Sequence, residues 1–162
     1  MIRALVLFCV VLLSACTNHA PLPPQIPHIK FPKHLHVQQD QGGQRQDWVI
    51  DVQKERHALR WSVTDSRGNL VARQFLQDET WKADDLLPPN PDARELFAAV
   101  LFALTSNEEA RFDYPGVVLL PHGRTLEDRW RVEYASEGVF SITLESGELK
   151  YVVSPVRGKA SK

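Results

Sequence analysis

Asn90-Pro91-Asp92-Ala93-Arg94-Glu95-Leu96-Phe97-Ala98-Ala99-Val100-Leu101-Phe102-Ala103-Leu104 is the stretch that decides the architecture. Asn90 is a strong N-cap, Pro91 suits the first helical turn, and Asp92 complements the positive end of the helix dipole. Thr105-Ser106-Asn107 ends the helix. A surface helix carries a polar stripe, yet from Leu96 to Leu104 no residue is polar. This helix must be covered nearly all round, or itself cover something apolar. It is also far short of the roughly 20 apolar residues that a spanning helix needs. The economical arrangement places it on the concave side of a curved sheet, with apolar space between the layers.

The flanking sequence supplies that sheet. Phe31, Leu35 and Val37 alternate with polar residues, a Gly42-Gly43 turn follows, and Trp48, Ile50 and Val52 recur at period two. Leu59, Trp61 and Val63 repeat the pattern, and Asp65-Ser66-Arg67-Gly68-Asn69 reads as a hairpin turn before Leu70 to Leu76. Trp81 falls in another short strand. Beyond the helix, Trp130, Val132 and Tyr134 alternate, then Phe140, Ile142 and Leu144, then Leu149, Tyr151 and Val153. The turns between them are Ser136-Glu137-Gly138 and Glu145-Ser146-Gly147-Glu148. Strands joined by short Gly-bearing turns predict an antiparallel meander with one apolar face. The fold class expected is mostly β (α+β), a curved antiparallel half-barrel with a buried apolar helix.

The chain has 162 residues, is 43% hydrophobic and 24% charged, and has a formal net charge of −1. That is the size of one domain, and near-neutrality gives no cationic surface for nucleic acid. The N-terminus differs from the rest. Arg3 precedes a short apolar run, Ala4 to Leu13, and small residues follow, as in a secretory signal. Leu13-Ser14-Ala15-Cys16 resembles the bacterial lipoprotein box. The resemblance implies diacylglycerol on the Cys16 thiol, cleavage just before it and acylation of the new amine. Thr17 in place of an Asp implies transfer to the outer membrane. The expected organisation is a signal over 1–15, a lipidated Cys16 with a Pro-rich tether over 16–30, a domain over 31–157 and a tail over 158–162. Pro21, Pro23, Pro24 and Pro27 make the tether read as an extended spacer. Cys9 leaves with the signal, so the mature domain holds no thiol for a disulfide, a zinc site or nucleophilic catalysis.

Motifs for catalysis are missing: there is no nucleophile elbow, no P-loop and no HExxH. Asp84-Asp85 and Glu108-Glu109 read as solvated acids beside a helix. His34 and His36 share one side of a strand with His28 upstream, a spacing that zinc can use. A polar strand face explains them more simply. His57 and His122 lie in turns. Trp48, Trp61, Trp81 and Trp130 occupy apolar strand positions, either as core or as the wall of an apolar pocket. The expectation is therefore no enzyme, no metal and no cofactor.

The order of lipobox, Pro-rich spacer, strand hairpins, apolar helix and C-terminal meander resembles a known family. Leu59-Arg60-Trp61-Ser62-Val63-Thr64-Asp65-Ser66-Arg67-Gly68 and Phe140-Ser141-Ile142-Thr143-Leu144-Glu145-Ser146 carry the likeness. They look like an uncharacterised bacterial lipoprotein family of aryl polyene gene clusters, which is similar to LolA/LolB-type lipoprotein carriers. The resemblance covers about Val37 to Val153. It implies a half-barrel closed by helices that holds acyl chains. The LolB-type protruding apolar loop has no counterpart, because the Asp65–Asn69 hairpin is polar apart from Gly68. A cargo other than lipoproteins, an acyl lipid or a polyene, fits better.

The reading is a monomeric, periplasm-facing outer-membrane lipoprotein that binds an apolar chain and aids its transfer or membrane placement. Leu96, Phe97, Val100, Leu101 and Leu104 are expected as its lid. Trp48, Ile50, Leu59, Trp61 and Val63 are expected as cavity wall. Its partners would be the membrane, through the anchor, and the hydrophobic ligand. The alternative is a structural or adaptor lipoprotein with a filled core that docks onto an envelope complex.

Overall fold

The computed structural model describes residues 19–144 and 147–156. The signal, the lipobox with Cys16 and the C-terminal tail lie outside the described residues, as do Glu145 and Ser146 of the last turn. Within them the elements run β1 (Lys33–Gln41), β2 (Gln44–Glu55), β3 (Ala58–Asp65), β4 (Leu70–Gln77), β5 (Thr80–Ala83), α1 (Pro91–Leu104) and α2 (Asn107–Asp113). Then come β6 (Val117–Leu120), β7 (Gly123–Leu126), β8 (Trp130–Ser136), β9 (Val139–Leu144) and β10 (Leu149–Pro155).

All ten strands form one antiparallel sheet in the order β5-β4-β3-β2-β1-β10-β9-β8-β7-β6. Each half is a meander, and the halves join where β1 pairs β10, Val37 opposite Val153. Local chemistry sets the turns. Gly42 and Gly43 sit at φ +58° and +81°, the two left-handed positions of a two-residue hairpin that few other residues adopt. At the next hairpin the Asp65 carboxylate accepts from the N–H groups of Arg67 and Asn69, at 2.9 and 2.8 Å. It also accepts from Asn69 Nδ2, at 2.9 Å, so the local hydrogen bonds hold the carboxyl below its usual range. The sheet stays open: its edge strands β5 and β6 do not pair with each other. Both edges are short, which limits their use as templates for another chain.

The chain crosses from edge to edge through the two helices. Asn90 caps α1 by accepting from Ala93 N–H at 3.0 Å, and Thr105 closes it. Every residue from Leu96 to Ala103 is buried, as the unbroken apolar run requires. Phe97 meets Trp81 of β5 at 5.8 Å, and Phe102 meets Trp130 of β8 at 5.6 Å. In a flat sheet with about 4.8 Å between strands, β5 and β8 would stand roughly 34 Å apart. The helix advances only about 7.5 Å between those two phenylalanines. The sheet must therefore curl around α1.

The C-terminal end of α1 has no basic residue in its last turn. Arg124 of β7 supplies the missing cation. It is 3% exposed, donates from Nη2 to the Thr105 carbonyl at 2.7 Å, and lies over the rings of Phe102 and Tyr134. A cation here complements the negative end of the helix dipole.

Residues 19–30 correct the expectation of a free spacer. Ala20, Leu22, Ile26 and Ile29 pack on the core, and Pro23 and Pro27 are buried. The His28 backbone N–H and its Nδ1 both bond Glu109 Oε1, at 2.9 and 2.7 Å. The physical reason is that prolines pre-extend the segment, so laying it down costs little chain entropy. The interspersed aliphatic side chains then supply contact area.

Candidate functional site: an open cavity at the N-terminal end of the buried helix

The inward face of the β1–β2 hairpin changes character along its length. Leu35 and Val37 of β1 face the core opposite Ile50 and Trp48 of β2. Two residues further on, the same inward parity carries Gln39 and Gln41, with Gln46 opposite Gln39. The apolar floor thus ends in an amide rim, just where α1 begins.

Between this rim and the first turn of α1 lies a cavity of about 430 Å³. That falls within the range of small-molecule sites, about 300–1,000 Å³. Val63, Ala72, Leu96 and Tyr151, all buried, form its floor. Trp48 forms a half-buried wall, its ring 6.4 Å from that of Tyr151. Gln39, Gln41, Gln46, Asn90, Asp92 and Glu95 bring polar atoms to the opening. Burial, with Asp92 and Glu95 nearby, pushes the Tyr151 phenol up to about 12, so it stays protonated at neutral pH.

Two clamps fix the helix end beside the cavity. Gln74 of β4 is fully buried and donates to the Asn90 carbonyl at 2.9 Å, while accepting from Arg94 Nε. Glu95 receives two bonds from Arg129, at 2.9 and 2.6 Å, and one from Trp130 Nε1 at 2.7 Å. The first clamp holds α1 on the N-terminal meander, the second on the C-terminal one.

Of the residues expected at the site, the structure brings Trp48, Val63 and Leu96 to this cavity. Ile50, Leu59 and Trp61 of the expected wall, and Phe97, Val100 and Leu101 of the expected lid, are instead fully buried in packed core. Leu104 is half-buried at the far end of the helix. Aromatic volume explains the difference. Trp61 lies 5.2 Å from Phe97, and Phe102 lies 4.9 Å from Tyr114, so rings fill the layer beneath the helix. An apolar-floored space opens beyond its N-terminal end. Gln74 and the amide rim were passed over. Their signal was present: polar residues at inward-facing parity on strands.

Several of the other polar groups singled out in the sequence have local partners. His34 pairs with Asp51, and His36 with Asp47 at 2.9 Å, across the outer face of β1 and β2. Asp84 receives Leu86 N–H at 2.8 Å, and at the start of α2 Ser106 Oγ accepts from Glu109 N–H at 3.2 Å and donates to Glu109 Oε2 at 2.8 Å. Among the described residues no three His, Cys, Asp or Glu side chains gather as a metal site. No helix among them is long and apolar enough to cross a membrane. No protein-family model and no curated protein matches the chain.

Proposed function

We propose that this protein is a periplasm-facing outer-membrane lipoprotein with a LolA/LolB-like half-barrel. It holds an apolar chain, an acyl lipid or an aryl polyene, and aids its transfer or membrane placement. The observation that carries the reading is the cavity of about 430 Å³, apolar in its floor and open at one end of a curled sheet. Burying apolar ligand surface there contributes roughly 25 cal/mol per Å² before ordering costs.

The start of the described chain supports the membrane setting. Asp92 and Glu95 border both the cavity and a neighbouring hollow that His19 and Ala20 line. Cys16 precedes His19 by three residues, a reach of at most about 11 Å. A lipid on Cys16 would therefore hold the cavity mouth close to the bilayer rather than lift the domain away from it. Two or more acyl chains give durable anchoring, because each buried methylene contributes about 0.8 kcal/mol.

Native mass spectrometry of the unlipidated chain purified from cells tests the reading. A co-purifying apolar molecule that leaves on extraction is the expected result. Repeated absence of any such adduct counts against it. The tight packing along most of α1 favours the second reading, an adaptor lipoprotein with a filled core docking onto an envelope complex. In that case no apolar molecule of any kind binds at the mouth.

A further inference from the structure

Resting on the reading of an apolar-chain carrier, we infer that the ligand's head group is uncharged and donates hydrogen bonds, and that the mouth rejects carboxylate and phosphate heads. The charged side chains on the cavity lining itself are acidic. Asp92 and Glu95 line the cavity, and among the described residues no Lys or Arg does. The Glu95 charge is matched by Arg129. Asp92 is exposed and is in none of the ion pairs among the described residues. A helix N-terminus ordinarily attracts anions through its free N–H groups. Here Pro91 has no N–H, Ala93 N–H is donated to Asn90, and Asp92 offsets the dipole. An anion entering this mouth would meet Asp92, while the nearby cations, Arg94 and Arg129, are already bonded to Gln74 and Glu95.

The amide rim specifies the other half. Gln39 Nε2 donates to Gln41 Oε1 at 3.3 Å. Gln39 Oε1 is buried beside this rim and has no donor partner among the described residues, so a donor, from water or from a bound head group, is what it lacks. A carboxylate or a phosphate diester has no proton to give. A hydroxyl or primary amide does. Gln46 and the protonated Tyr151 phenol stand on the same lining and add further polar contacts. The head that fits is a polyol or amide on a single apolar chain.

The probes are decanoylglycerol and decanoate, which share one chain and differ in head group. They are titrated calorimetrically at pH 7.5, below micelle formation, into the chain from residue 16 onward carrying Cys16→Ser, which holds every described element. Decanoylglycerol binding at least tenfold tighter than decanoate is the expected result. Gln39→Leu should then weaken decanoylglycerol about tenfold, and Asp92→Asn should narrow the gap by strengthening decanoate. Equal affinities, or tighter decanoate, overturn the head-group assignment and leave the apolar-chain reading standing. Binding of neither probe overturns both.

Discussion

Glu95 of α1 and Arg129 of the β7–β8 turn meet through two hydrogen bonds, at 2.9 and 2.6 Å, and the same carboxylate receives Trp130 Nε1 at 2.7 Å. One side chain thus ties the helix end beside the cavity to the C-terminal half of the sheet. Trp130 is 1% exposed, so removing its acceptor strands a buried N–H. Glu95→Ala should cost about 2 kcal/mol of stability. The midpoint of urea unfolding reads this, and an unchanged midpoint would show that the clamp is decorative.

The N-terminal segment makes a pH-dependent contact. Hydrogen bonds from His28, then from Ser106, hold the Glu109 carboxyl at about 2, against an ordinary 4.5. A depressed carboxyl contributes stability above its unfolded value and loses it as pH falls through the folded value. The contribution is therefore whole above pH 4.5 and fades toward pH 2. Wild type should lose more stability over that interval than Glu109→Gln, by about 1 kcal/mol for so exposed a pair. Thermal melts at several pH values compare them, and limited proteolysis near His28 should be faster in the variant already at pH 7.

Arg124 is a buried cation at the C-terminal end of α1, bonded to the Thr105 carbonyl and stacked on two rings. Arg124→Ala leaves a cavity and an unsatisfied carbonyl, a loss of about 2–4 kcal/mol. Arg124→Met fills the space and avoids burying a charge, so it should cost less than the alanine. Equal losses in the two variants would show that charge, not volume, is what the site requires.

Leu101 lies in packed core rather than over open space. Leu101→Trp should therefore destabilise the fold by about 1–3 kcal/mol. A neutral effect in chemical denaturation would reveal room beneath the helix.

Much of the fold is legible in the sequence. Period-two alternation marks the strands that hold Trp48, Trp61, Phe140 and Tyr151, and the polar-free run Leu96 to Leu104 dictates a helix covered on all sides. Asn90 and Thr105 bound it in the structure as the capping chemistry requires. Less legible are α2, β6 and β7. Residues Val117–Leu120 and Gly123–Leu126 form strands of four residues each, too short for periodicity to register. The Ser106 N-cap of α2 was readable but is masked by the acidic pair Glu108-Glu109 that follows it. The site was half legible. Apolar pattern places Trp48, Val63 and Leu96 on the inner face, but pattern carries no volume. Only the packing of Trp61 against Phe97 and of Phe102 against Tyr114 decides where the space is filled.

The central claim, an apolar-chain site at the mouth of the half-barrel, is tested most directly by titrating diphenylhexatriene, an uncharged aryl polyene that fluoresces when taken out of water. Wild type is compared with Ala72→Phe, which places a ring in the cavity where Ala72 is 1% exposed on its floor. A saturable signal at one probe per chain in wild type, lost in Ala72→Phe with a melting temperature within a few degrees, is the expected result. No saturable signal in wild type, or the same signal in both proteins, would contradict it.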